Sequence, residues 1–140
     1  MKLLLIFLTL LSYKGCAQTE NTEITYNAAS RGFYYNVVVN KDNITVQKTR
    51  GSEKGMKMEV DKAKWEEISG MLKSIEIAEM ENLKSDSSKS QVDAAAIANL
   101  QVKLDDENVH TATFDHGNPP EELKALVNAI LSLAETVEKQ

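Results

Sequence analysis

The stretch Phe33–Arg50 reads FYYNVVVNKDNITVQKTR, and its alternation decides the fold. Phe33, Tyr35, Val37 and Val39 share one side of an extended chain, and Tyr34, Asn36 and Val38 share the other. Asn40-Lys41-Asp42-Asn43 is turn chemistry, because short polar side chains bond their own backbone there. Ile44 and Val46 then point inward, and Thr45, Gln47 and Thr49 point outward. The pattern predicts a β-hairpin with one apolar and one polar face.

The same alternation recurs on either side. Ile24–Tyr26 predicts a short edge strand, followed by a loop over Ala28–Gly32. Gly51–Gly55 (GSEKG) predicts a flexible loop, and Met56–Val60 a further strand. Asp61 suits a helix N-cap, with Val60 and Trp65 at hydrophobic-staple spacing and Trp65, Ile68, Leu72 and Ile75 on one helical face. Ile75–Leu83 is a helix exit with an irregular turn, and Lys84–Gln91 a polar loop. Ala98, Leu100, Val102 and Leu104 alternate with polar residues, Asp105–Asn108 turns, and Val109–Phe114 completes a second hairpin. Asn118-Pro119-Pro120-Glu121-Glu122 opens a final helix, with Asn118 as cap and Pro119 at the first helical position. The expected class is α+β: one antiparallel sheet of four to five strands, two hairpins plus a short strand, with two helices on one face.

The chain of 140 residues holds one such domain and little else. Leu3–Leu11 (LLLIFLTLL) is an apolar run of nine residues behind Lys2. A membrane span needs about twenty, so the run reads as the core of an export signal. Two cleavage readings stay open. Cys16, the only cysteine, is the lipidated residue of a bacterial lipoprotein, or an ordinary peptidase cuts after Ala17. The expected organisation is a signal peptide over 1–15, a polar tether over 16–25 and one domain over 26–140 in the cell envelope, with secretion as the alternative. Without Lys2 and Lys14 the net charge moves from −5 to −7. That sign disfavours nucleic acid, where phosphate neutralisation supplies much of the affinity. Membrane attachment would run through an acyl group at Cys16, not through charge.

The stretches SRGFYYNVVVNKDNITV (Ser30–Val46), VDKAKWEEI (Val60–Ile68) and TFDHGNPPEELKALVNAILSLAE (Thr113–Glu135) resemble a family of small uncharacterised bacterial exported proteins and lipoproteins. The resemblance implies a sheet with two helices and an envelope location, and it implies no activity.

Candidate site residues are few. Tyr34, with Arg31 nearby and Tyr26 and Tyr35 as companions, offers an aromatic binding face for a protein or small-molecule partner. Asp115-His116 suggests an acid–base pair, yet neighbours at a strand end point to opposite faces, and a solvent-facing His116 in a hydrogen-bonded turn explains the segment as well. A hydroxyl nucleophile or a second carboxylate against the His116 ring in a concave site would favour an enzyme. Two rival readings are thus a small hydrolase using Asp115, His116 and a carboxylate such as Asp93, and a soft-metal protein using methionines (Met56, Met58, Met71 and Met80) and histidine. Core packing accounts for the methionines, and Asp105–Asn108 lacks the spacing of a calcium loop. The pattern calls for no catalytic set, no resident metal and no cofactor. The expected function is a non-catalytic binding or interaction module.

Overall fold

A computed structural model describes residues 20–85 and 95–140. The signal segment, Cys16 and Asp93 lie outside the described residues. The chain forms β1 (Glu23–Ser30), β2 (Phe33–Val39), β3 (Asn43–Gln47), β4 (Met56–Glu59), α1 (Lys62–Lys73), a 3-10 helix (Ile77–Asn82), β5 (Ile97–Lys103), β6 (Val109–Asp115) and α2 (Glu121–Glu138). All strand pairs are antiparallel, in the order β4-β3-β2-β1-β5-β6. The class is α+β as the alternation implies, with six strands where four to five were expected.

The extra strand length comes from β1, which the sequence suggested was a short edge. It runs eight residues through the centre of the sheet, paired with β2 on one side and β5 on the other. Ala28, Ala29 and Ser30 have weak β preference, and pairing on both sides overrides it. The expected loop shrinks to Arg31-Gly32, where Gly32 takes φ +88° to close a two-residue turn.

The register sorts the faces. Met56, Val46, Val37, Tyr26, Leu100 and Ala112 form one cross-strand row, and Met58, Ile44, Val39, Ile24, Val102 and His110 the next. Most of these inner positions are fully buried. α2 lies over β2, β3 and β4 with α1 against it, and the 3-10 helix packs on β6. Trp65, Ile68 and Leu72 of α1 join Leu123, Leu126, Ile130 and Ala134 of α2 in the same core as the inner sheet face. Val60 and Trp65 are both buried, as staple spacing requires. The outer rows carry Gln47, Asn36, Asn27, Asn99 and Thr113, then Thr45, Val38, Thr25, Gln101 and Thr111, each in register across five strands.

The start of α2 departs from the expected cap. Glu121 is the first helical residue and Pro120 stands at the N-cap in extended geometry, with no side-chain cap bond. A residue before proline is driven out of the helical region, so Pro119 cannot be helical while Pro120 follows it. Asn118 contributes through its backbone: its N–H donates to the Asp115 carbonyl at 2.9 Å, and its carbonyl accepts the Ser85 hydroxyl at 2.5 Å. Asn118→Ala should therefore change stability by less than about 0.5 kcal/mol in urea denaturation, like an ordinary surface site. A loss of about 1 kcal/mol, the cost of a missing cap, would contradict this helix start.

Candidate functional site

Tyr26 is central to the site. Its ring lies in the inner face of β1 with no exposed surface, 6.2 Å from the Phe114 ring. Its hydroxyl reaches past the end of the sheet and meets His116 Nδ1 at 2.7 Å. The Gly117 backbone N–H donates to the same oxygen, and burial, the larger influence, pushes the phenol up to about 12. A phenol that keeps its proton and accepts from Gly117 donates a hydrogen bond to an unprotonated Nδ1. The imidazole is then neutral, with its own proton on Nε2. Burial also holds the His116 pKa below its ordinary value. The turn is set by Gly117 at φ +87° and by the His116 N–H donating to the Ala96 carbonyl at 2.8 Å.

His116 is thus half-buried and hydrogen-bonded, which corrects the expectation of a solvent-facing side chain. It borders an open cleft of about 540 Å³ with Gly32, Phe33, Tyr34, Tyr35, Lys48, Leu131, Glu135 and Glu138. That volume lies within the range of small-ligand sites, about 300–1,000 Å³. The Phe33 ring stands 5.4 Å from the imidazole and is 39% exposed, an apolar surface open to a ligand. Opposite it, the Tyr35 hydroxyl donates to Glu138 Oε1 at 2.8 Å, and Lys48 pairs with Glu138 Oε2. Lys48, and secondarily Tyr35, hold the Glu138 carboxyl below the usual carboxylate range. Burial first, then Glu138, raises the Tyr35 phenol.

Of the residues singled out in the sequence, Tyr34, Tyr35 and His116 border this cleft. Tyr34 belongs by register to the outer face, and Arg50 stands over its ring at 5.7 Å. Arg31 is exposed on the two-residue turn and is not among the cleft residues. Asp115 is 2% exposed and does not line the cleft, so the pair Asp115-His116 does not converge on one site. The aromatic face dissolves as well, because Tyr26 is enclosed, Tyr35 points inward and Tyr34 outward.

A hydroxyl does lie against the His116 ring beside a concave surface, the feature that would favour an enzyme. It belongs to an enclosed phenol whose pKa is raised, the opposite of an activated nucleophile. The methionines are scattered: Met56 and Met58 sit on an edge strand, Met71 on α1, and Met80 is fully buried in the 3-10 helix. Among the described residues, no group of three His, Cys, Asp or Glu could hold a metal ion. Asp105 instead accepts from the Glu107 and Asn108 N–H groups, both at 2.9 Å, as a hairpin turn does. Comparison with protein-family models, curated proteins and solved structures finds no match, so no relative assigns a role to any of these residues.

Tyr26→Phe should cost about 0.5–1.5 kcal/mol in urea denaturation, because it removes the hydroxyl that the half-buried ring nitrogen and the Gly117 N–H share. The pH dependence has a definite sign. The folded imidazole resists the proton that the unfolded one takes up near 6.5. Stability from this group is complete above that pH and is lost as pH falls through the lower folded value. His116→Ala should flatten the slope of stability just below pH 6.5. An unchanged slope would remove His116 from the linkage.

Proposed function

We propose that the protein is a non-catalytic binding module of the cell envelope that takes a small ligand in the His116–Glu138 cleft. The observation behind this reading is that two of the cleft's titratable groups, His116 and Glu138, are already committed. His116 Nδ1 is taken by Tyr26, and Glu138 by Lys48 and Tyr35. What the cleft offers is an Nε2–H donor, spare carboxylate lone pairs, and the Phe33 and Tyr35 ring surfaces. Those groups recognise a ligand, whereas a general base needs a pKa near the operating pH, and Glu138 is held below the usual carboxylate range.

A fragment screen followed by proton–nitrogen NMR tests the cleft. Binders should shift the amide signals of Gly32, Tyr35 and Glu138. Tyr35→Phe combined with Lys48→Ala should weaken them about tenfold, or about 1.4 kcal/mol. Binders confined to other surfaces, or unaffected by that double variant, would sink the reading.

The envelope location belongs to the same proposal. It rests on the nine-residue apolar run and on Cys16 closely behind it. Cys16→Ala should move the protein out of the detergent phase in a Triton X-114 partition and abolish labelling by radioactive palmitate. A variant that stays in the detergent phase with the mature mass differing only by the thiol would rule out the lipid anchor.

A further inference from the structure

We propose that the face of the sheet turned away from α1 and α2 is a second recognition surface, and that it takes a neutral polysaccharide chain lying across the strands. The inference is independent of the cleft. Both helices pack against the inner rows, which leaves Gln101 and Thr113 exposed on the outer ones.

The chemistry of this face is unusual for the chain. Charged residues make up 26% of the sequence, yet the two middle outer rows contain none from β3 to β6. Charge stands at the margins, as the Glu23–Lys103 pair at one end, Lys57 and Glu59 on the edge strand β4, and Arg50 over the Tyr34 ring. A polyanion or a charged protein surface finds no counter-charge here. A second copy of the chain fits the middle rows poorly, because interface centres favour aromatic, Met and Arg side chains, and on this face the exposed Ile97 and Val109 and the Tyr34–Arg50 pair stand at the margins. These rows hold amides, hydroxyls and Val38.

The amides are fixed in place. Asn27 Nδ2 donates to Asn36 Oδ1 at 3.2 Å, Asn36 Nδ2 to Gln47 Oε1 at 3.3 Å, and Gln47 Nε2 to the Ser52 carbonyl at 3.0 Å. On the other wing the Thr113 hydroxyl donates to Asn99 Oδ1 at 2.7 Å. Asn27, Asn36 and Gln47 each use one N–H and keep a second, Asn99 accepts through its carbonyl, and each carbonyl keeps a lone pair. The face therefore presents donors and acceptors side by side, with their rotamers already ordered, so little side-chain entropy is lost on binding. A neutral polymer of hydroxyl groups, each both donor and acceptor, is the partner that such an array satisfies. The row spans four strand spacings, about 19 Å, room for several sugar units of an extended β-linked chain.

Affinity electrophoresis tests this, with the full mature protein run through gels containing β-glucan, galactomannan or dextran, and alginate as the acidic comparison. At least one neutral polymer should slow the protein, and added salt should not reverse the effect. Gln101→Lys and Thr113→Lys change exposed positions and should each raise the dissociation constant for the slowing polymer at least about tenfold with an unchanged melting temperature. Asn36→Ala should do the same by breaking the row, and Lys64→Ala on α1 should have no effect. Three results would overturn the proposal: no retardation by any neutral polymer, retardation by alginate alone, or retardation indifferent to the face variants. Concentration-dependent dimerisation abolished by Gln101→Lys would assign the face to a second copy instead.

Discussion

The hydroxyl of Tyr26 is the point on which the cleft end of the molecule depends. The ring belongs to the core, packed in the central strand among Val37, Leu100 and Phe114. The oxygen belongs to the turn between β6 and α2, where it holds His116 and Gly117. One side chain thus couples the register of the sheet to the position of the imidazole and to the departure of the last helix. Buried polar atoms require partners, so the enclosed hydroxyl demands this turn as much as the turn uses the hydroxyl. The tautomer follows from the same contact, because only a neutral ring with an open Nδ1 can accept the phenol's hydrogen bond.

The opposite wall of the cleft is built by a different rule. Leu131, Glu135 and Glu138 lie three and four residues apart near the end of α2, so the helix presents them together. Glu138 is the most constrained of them, held by Lys48 from beyond β3 and by Tyr35 from β2. A carboxylate with two partners keeps its charge and its orientation. Its neighbour Glu135 is 67% exposed and pairs with Lys139 at 3.8 Å, a contact that contributes little to stability. The cleft therefore joins a fixed polar wall to an aromatic one, and its hydrogen-bonded groups are held in set orientations.

The fold was legible in the sequence wherever one face of an element had to be apolar. The Phe33–Gln47 hairpin, the stripes of both helices and the second hairpin all follow from local periodicity. What local pattern missed was settled by distant pairing: Ala28–Ser30 became strand because β2 and β5 flank it, and Pro119 lost the helix to Pro120. The site was less visible. His116 and Tyr34 stood out by residue type, but Tyr26 and Tyr35 were grouped with Tyr34 as a surface, because a tyrosine in a strand does not reveal whether its hydroxyl has a buried partner. Lys48 and Glu138 lie 90 residues apart in the chain and meet only through the packing of α2 on β3, which no short motif encodes.

The open face of the sheet poses a physical problem that its composition answers. A flat uncharged sheet surface invites stacking, and small proteins usually prevent this with charges that repel a second sheet. Here the repulsion is placed elsewhere: the charges sit on the helices, loops and margins, and β4 is a four-residue edge bearing Lys57 and Glu59. The face itself relies on hydration. Its amides are bonded head to tail, so they expose ordered donors and acceptors to water instead of apolar area that water would expel. A surface that stays soluble by hydrogen bonding to water, without charge, is already selective for solutes that bond as water does, and hydroxyl-bearing polymers meet that condition better than ions or apolar surfaces do.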